Sequence, residues 1–435
     1  MRTGARVTAS RWVALNLMRA VRGGELLDPA FARLAPQLAQ RDRAWTQELV
    51  YSTFRLRGRL DYLLAQFVQR PLAQLEVDVL DILRLGAYQL LEMHGVPAYA
   101  AVSQAVEMAR HVSGRGTTGL VNGVLQALHR AQPDLRPPAP LEAVEFLSSW
   151  GAHPRWLIER WLRTFGRAAT ETLVELNNQR PVSYLRPVGM SVAQADTRLR
   201  ACEIKTEPVA QVPFALRLDA SDVLRALEVV PAVVQDPAAM LVVEYAAFDH
   251  NWIADLCAAP GGKTLGLSAQ AGPAFVLAGD LSRARLEKAR ANAHRVGSTD
   301  IVFMNADARR PPLRSVPQAL LDVPCSGTGT LRRHPDGKWR LGPGDLTALV
   351  ELQREMLEAT AVCIAPGGLL VYATCSLEPE ENELQVERFL DHHVEFKLES
   401  PGSFQGPGLE GALLRVLPQR HGFDGAFAAR LRKTA

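Results

Sequence analysis

The spacing of apolar residues changes character twice along the chain. From Val7 to about Arg136 it is helical. Val13, Leu17 and Val21 near the start, and Val79, Ile82, Leu83, Gly86 and Leu90 further on, recur at the three-and-four interval that buries one helix face. No alternating stretch interrupts them, and Gly23-Gly24, Pro71 and Gly95-Val96-Pro97 divide the segment into several helices. Gly119-Leu120-Val121-Asn122-Gly123-Val124-Leu125 opens the last one. The proline-rich run Leu135-Arg136-Pro137-Pro138-Ala139-Pro140 then predicts a domain boundary. From 141 to 232 the pattern is mixed: a helix around residues 153–162, begun at Pro154, and short strand-like pieces at Ser183–Pro187 and 214–218. Trp156 and Trp161 on that helix read as packing residues rather than base-stacking ones. From 233 to 435, apolar strands at 253–256, 274–279, 301–304, 319–322 and 369–373 alternate with helices, most clearly Arg283–Val296 and 345–364. Such alternation predicts a mainly parallel sheet covered on both faces, with ligands at the carboxyl ends of its strands. The expected domains are therefore an all-helical one (1–136), a small α+β one (141–232) and an α/β one (233–435).

Composition changes this picture little. A chain of 435 residues, 47% hydrophobic, is long for one core and can bury a substantial one in each domain. The net charge is only +3, but Arg55-Leu56-Arg57-Gly58-Arg59, Arg309-Arg310 and Arg332-Arg333 concentrate basic residues that could meet phosphates, a solvated surface being the plainer reading of each. Five cysteines without short regular spacing oppose a disulfide framework and a zinc site, so no metal is expected and a reducing compartment is. No apolar run approaches the about 20 residues of a membrane span, and no signal-peptide core is visible. A cytoplasmic protein without membrane contact is expected.

The chemistry concentrates after the first strand of the last domain. Ile253-Ala254-Asp255-Leu256-Cys257-Ala258-Ala259-Pro260-Gly261-Gly262-Lys263-Thr264 reads as a strand, a tight glycine turn and a helix start. Glycine lets backbone approach a ligand, and a helix N-terminus offers unpaired N–H groups. A dinucleotide site would want a Gly-x-Gly-x-x-Gly spacing that the adjacent Gly261 and Gly262 do not supply. A phosphate loop would fit Gly262-Lys263-Thr264, but Cys257 stands where its first glycine belongs. An S-adenosylmethionine site suits the turn best, because Asp280, closing the next strand, is placed to accept from ribose hydroxyls. Asp280 could alternatively cap the helix that follows.

Two further strand ends carry cysteines in similar settings: Asp322-Val323-Pro324-Cys325-Ser326-Gly327-Thr328-Gly329 and Ala373-Thr374-Cys375-Ser376. If those strands are neighbours, both thiols hang over the edge that holds the turn. Cys202, Cys257 and Cys363 read instead as small core hydrophobes. Carbon 5 of a pyrimidine is too poor a nucleophile to accept a methyl group directly. Adding a thiolate at carbon 6 makes carbon 5 enolate-like, and splitting one hard step into easier ones is the logic of covalent catalysis. The thiol must ionise, which a nearby cation favours, and Lys263 is the candidate. Asp322 could bond the ring's amide-like edge and exchange a proton at nitrogen 3, or merely cap the turn that follows it.

These motifs, with Arg332-Arg333-His334-Pro335-Asp336 and Lys338-Trp339, resemble the RNA 5-methylcytosine methyltransferases of the Sun/NOL1/NOP2 family. Arg41-Asp42-Arg43, Glu48-Leu49-Val50-Tyr51, Leu83-Arg84-Leu85-Gly86-Ala87-Tyr88-Gln89-Leu90 and the Gly119–125 run look like a NusB-type helical domain. Trp156–165, Asn177-Asn178 and Val234-Gln235-Asp236 extend the likeness through the middle of the chain. The resemblance implies a NusB-like RNA-binding domain, a small RRM-like segment and a Rossmann-like, seven-stranded, mostly parallel S-adenosylmethionine-dependent methyltransferase domain. It implies that Cys375 attacks carbon 6 and that Cys325 assists product release. DNA cytosine methyltransferases use a Pro-Cys nucleophile, which keeps Cys325 as the rival. It also implies cofactor contacts from Cys257, Ala258, Ala259, Pro260, Gly261, Gly262 and Lys263, from Asp280 at the ribose, Asp307 near the adenine, and Asp322. The implied substrate is small-subunit ribosomal RNA, with transfer RNA as an alternative, and the expected state is a monomer. A non-enzymatic RNA-binding assembly or antitermination factor is the competing class.

Overall fold

The computed structural model describes residues 7–137, 142–250, 252–270 and 275–434. Residues 138–140 of the proline-rich run, the expected domain start at 141, and Ala274, taken as the first residue of a strand, lie outside the described residues. The chain forms two compact units, one of Met1–Gln179 with Leu331–Gly342, the other of Arg180–Thr330 with Pro343–Ala435.

The first unit is helical throughout its described residues. Ala9–Arg22 and Val77–Glu92 carry the apolar faces foreseen from the spacing, Thr118–Ala131 is the last helix expected, and Gln40–Arg55 and Ala98–Ser113 add two more. Leu15, Leu17, Leu49, Leu83 and Leu125 are completely buried in one cluster. Helix Arg155–Phe165 buries Trp161, a packing residue as expected. The segment Leu331–Gly342 ends in a short helix, Gly337–Arg340, that belongs to this unit. Its Lys338 is fully buried, and the side-chain nitrogen donates to the Arg55 carbonyl (3.1 Å), the Ala152 carbonyl (3.4 Å) and Asn178 Oδ1 (2.8 Å). Trp339 Nε1 donates to the Phe54 carbonyl at 2.6 Å. The arginines of the 55–59 cluster are not a fully solvated surface, since Arg55 is buried and Arg57 and Arg59 are half-buried. Arg55 is buried and donates to the Arg332 carbonyl at 3.1 Å, Arg57 lies 5.2 Å over the Trp339 ring, and Arg59 lies 4.7 Å over Trp150. Their long aliphatic stems and flat guanidinium faces serve packing here.

The second unit contains two sheets. In the smaller, strands β1 (Ser183–Pro187), β2 (Thr206–Pro208), β3 (Leu216–Leu218) and β4 (Ala232–Val234) lie antiparallel in the order β2-β3-β1-β4. Helices Val192–Ala201 and Val223–Val229 complete a β-α-β-β-α-β unit of the ferredoxin-like kind, the topology an RRM-like segment requires. Cys202, expected in a core, is exposed, because it follows the last turn of the first of these helices.

The larger sheet is built from β5 (Trp252–Asp255), β6 (Phe275–Asp280), β7 (Ile301–Asn305), β8 (Val316–Asp322), β9 (Ile364–Thr374), β10 (Phe396–Leu398), β11 (Leu409–Glu410), β12 (Leu413–Val416) and β13 (Ala426–Lys433). The order is β11-β12-β13-β9-β8-β5-β6-β7, with β10 beside β13. β7, β6, β5, β8 and β9 are parallel, and β13 returns antiparallel against β9. The seven strands from β12 to β7 are the expected Rossmann-like sheet, and the short β10 and β11 bring it to nine among the described residues. Cys363 is buried at the end of helix Pro343–Cys363, as foreseen. β5 lies between β6, its successor in sequence, and β8, so the direction of winding reverses there. Ligands gather at the carboxyl edge of such a point.

Candidate active site

The turn after β5 is held by both flanking strands. Leu256 N donates to the Leu320 carbonyl (3.1 Å) and Ala258 N to the Gly279 carbonyl (2.9 Å). Gly261 has φ of +100°, and a Cβ there would lie 3.0 Å from the Ala289 Cβ, so backbone conformation and space both call for glycine. Helix Gly262–Gln270 starts at once, and its Thr264 hydroxyl donates to Asp255 Oδ2 at 2.7 Å. Burial pushes the Asp255 carboxyl up to about 7 against the Thr264 hydrogen bond, with the Asp322 charge adding to the rise. Burial and the carboxylates of Asp255, Asp322 and Asp280 likewise hold the Cys257 thiol well above its ordinary value, which makes it a poor nucleophile.

A cleft of about 690 Å³ opens at this edge. Among the described residues, Cys257 and Ala259 of the turn line it, whereas Ala258, Pro260, Gly261, Gly262 and Lys263 shape the turn without lining it. Asp280, Asp307, Asp322, Cys325 and Cys375 line it too, with Leu281, Ala308 and Met356 among its apolar lining. Asp280 accepts from Ala259 N (3.1 Å) and Ser282 N (2.8 Å), and Ser282 rather than Asp280 is the cap of helix Arg283–Val296. The Asp280 carboxylate thus stays at the cleft wall. Asp307 is held by Arg309 (Oδ2 to Nη2, 2.7 Å), whose hydrogen bonds keep its carboxyl below the usual range.

The two strand-end cysteines meet. β8 and β9 are parallel neighbours with Asp322 beside Ala373, so the loops that follow run side by side. The Cys325 and Cys375 sulfurs are 3.4 Å apart, and Cys375 N donates to Cys325 Sγ at 3.4 Å. Gly329 fixes this approach. Its N–H donates to the Cys375 carbonyl at 3.0 Å, and a Cβ on it would fall 2.7 Å from that oxygen and 2.6 Å from the Gly425 Cα. The hydrogen bond to Cys375, reinforced by burial, raises the Cys325 thiol well above its ordinary value. Lys263 Nζ pairs with Asp322 Oδ2 at 2.7 Å. Burial works against that ammonium, but Asp322, with smaller contributions from Cys375 and Asp255, more than offsets it and the net shift is upward.

The sequence reading missed Arg285, which lines the cleft and donates to the Ala259 carbonyl, and a buried carboxylate behind the thiols, Glu381. Arg285 looked like an ordinary charge on a helix. Glu381 lies in the acidic run Glu380-Glu381-Asn382-Glu383, where only its place shortly after the Thr-Cys-Ser motif hinted at a role. Among the described residues, no group of three or more His, Cys, Asp or Glu side chains is arranged to hold a metal ion, and no helix is long and apolar enough to cross a membrane.

A sheet wound in this order, with a glycine bend after its first strand and acids at the cleft wall, defines a Rossmann-like methyltransferase domain. Known proteins agree. The model of the 16S rRNA methyltransferase RsmB/F family matches residues 242–432, that of the NusB family residues 8–130, and that of an RsmF/B-like ferredoxin-like domain residues 153–223. A probable ribosomal RNA small subunit methyltransferase B of Synechocystis is 36% identical over 91% of this chain and 92% of its own length. The ribosomal RNA small subunit methyltransferase B of Yersinia pseudotuberculosis is 34% identical over 94% and 95%. In fold, the chain is similar to the crystal structure of PH0851 (TM-score 0.79, 24% identity, 99% of this chain and all of that one). It is also similar to NSun6 from Pyrococcus horikoshii, solved with SFG (TM-score 0.57, 21% identity, 65% and 98%). The chain belongs to the 16S rRNA methyltransferase RsmB/F family, and it is an rRNA methyltransferase whose methyl donor is S-adenosylmethionine.

Proposed function

We propose that this enzyme methylates carbon 5 of a cytosine in small-subunit ribosomal RNA through a covalent bond between Cys375 and carbon 6 of the ring. The observation that carries the proposal is the pair of sulfurs 3.4 Å apart in one cleft, beside the Lys263–Asp322 ion pair. The cleft suits the cofactor: its apolar lining can take a flat base, and Asp280 and Asp307 offer acceptors to ribose hydroxyls and an adenine amino group. Cys257–Lys263 would wrap the amino-acid end. Bound there, S-adenosylmethionine supplies an electrophilic methyl group.

The remaining chemistry belongs to the chain. The Cys375 thiolate forms a bond to carbon 6, and the electron pair of the carbon 5–carbon 6 double bond moves onto carbon 5 and the conjugated ring edge. Asp322 holds that edge and exchanges a proton at nitrogen 3, while the Lys263 ammonium steadies Asp322 and the Cys375 thiolate together. After carbon 5 has gained its methyl group, its proton passes to solvent water acting as base, the pair it leaves behind restores the double bond, and the sulfur departs from carbon 6 as thiolate. Cys325, in contact with that sulfur, assists this release. Cys375 is taken as nucleophile from the family resemblance, and the Lys263 ammonium, whose charge interacts with Cys375, supports that choice.

The same reading assigns 1–136 as an RNA-binding domain, 141–232 as an RRM-like subdomain and 233–435 as the catalytic domain of a cytoplasmic monomer. Incubating undermodified small-subunit RNA with labelled cofactor is expected to label one cytosine at carbon 5, and no incorporation would sink the proposal. Label entering only transfer RNA would move the same chemistry to that substrate. Cys375→Ala is expected to abolish turnover, and Cys325→Ala to leave enzyme bound to RNA. Swapped phenotypes would make Cys325 the nucleophile.

A further inference from the structure

Glu381 closes the short turn Pro379–Glu381 after β9 and is completely buried. Its Oε1 accepts from Ser326 N and from Gln353 Nε2, both at 2.8 Å, and its Oε2 accepts from the Ser326 hydroxyl at 2.5 Å. The Ser326 oxygen lies 3.0 Å from that of Ser376. Gln353, on helix Pro343–Cys363, also donates to the Pro324 carbonyl at 3.0 Å. One carboxylate therefore reaches the residues on both sides of Cys325 and, through two hydroxyls, the residue after Cys375.

Among the described residues its hydrogen-bond donors are N–H and O–H groups of the loops and of Gln353, and no arginine or lysine is bonded to it. Burying a carboxylate is costly unless hydrogen bonds replace its water, and bonds to an ionised acceptor are short and directional. A side chain that only filled this space could be apolar at lower cost. The arrangement is what is needed where two loops must keep their sulfurs at a fixed separation. We infer that Glu381 is a positioning residue that sets the placement of Cys325 and Cys375 for attack and release, an inference that rests on the covalent reading proposed for the two thiols.

The test is the rate of covalent adduct formation by the full chain on an unmodified small-subunit RNA transcript, in a Cys325→Ala background where the adduct accumulates. Adding Glu381→Ala is expected to slow adduct formation by about 10²-fold, the scale of a small misplacement of reacting groups. Glu381→Gln keeps the shape and one acceptor oxygen, and is expected to recover part of the rate, to within about 10-fold of the parent. Cofactor affinity, KM for RNA and melting temperature of Glu381→Gln should stay near those of the parent. If the alanine variant does not fold, the glutamine variant decides. An unchanged adduct rate in the glutamine variant, or a loss that falls on cofactor affinity or KM alone, overturns the inference. If neither Cys325→Ala nor Cys375→Ala forms an adduct, the covalent reading fails and the inference falls with it. That result is distinguishable from an adduct that forms at the same rate whatever stands at 381.

Discussion

The bend after β5 and the paired loops after β8 and β9 share one edge of the sheet but are built differently. The bend is short, tied to its neighbours by backbone hydrogen bonds, and sculpted by a left-handed glycine; its acid, Asp255, is buried against one hydroxyl. The loops are cross-linked by side chains as well: Ser326, Ser376, Gln353 and Glu381 bond to one another, and Gly329 is pressed between two backbones. A region that holds a cofactor needs shape and a few acceptors. One that makes and breaks a bond to carbon needs its reacting atoms fixed beforehand, since small displacements there are expensive in rate. The loops should therefore fail in turnover and the bend in cofactor affinity.

Substitutions can break or sharpen that contrast. On the proposed mechanism the largest effect belongs to Cys375→Ala, expected to lower turnover by on the order of 10⁴-fold or more, the scale of losing a covalent nucleophile, with cofactor affinity by calorimetry unchanged. Gly329→Ala puts a methyl group against the Cys375 carbonyl and the Gly425 backbone. It should cost about 10²-fold in turnover, together with about 1–3 kcal/mol of stability by denaturant titration. On the bend side, Asp280→Asn removes the charge at the expected ribose position and should weaken cofactor binding by about 10-fold or more, the value of a hydrogen bond to a charged group. If turnover at saturating cofactor fell as far as for Gly329→Ala, the two regions would not differ as argued.

The smallest effect concerns Asp255. Its carboxyl titrates at about 7 in the fold and near 3.9 when unfolded. Between those values the folded chain holds a proton that the unfolded chain has lost, so stability falls as pH rises through this window, and the penalty is complete above about 7. Asp255→Asn should therefore melt a few degrees higher than the parent at pH 8, with the advantage shrinking towards pH 4. A gain independent of pH would mean that Asp255 is not protonated as its burial requires.

The interior strands were legible because they are continuous apolar runs ended by turns, and β5, β6 and β8 depart from expectation only at their ends. β13 was not foreseen: Arg430 stands within it, buried and bonded to Glu399 and the Ala246 carbonyl, which breaks any apolar pattern. The Arg55–Arg59 cluster was misread for a related reason. What buries it comes from Trp150, Arg332 and Trp339, far away in sequence, and local spacing carries no trace of them. At the site, the meeting of Cys325 and Cys375 could be stated only conditionally, since it depends on which strands are neighbours. Glu381 stayed invisible because an acid in an acidic run looks like surface.

One consequence of the chain's path is practical. Residues 331–342 are flanked on both sides by sequence of the second unit, yet Lys338 and Trp339 find their carbonyl acceptors at Phe54, Arg55 and Ala152. Trimming the protein to the part after Gln179 would strip a lysine nitrogen and an indole of the acceptors they now have, immediately downstream of the Pro-Cys loop. No single cleavage point yields two self-sufficient halves.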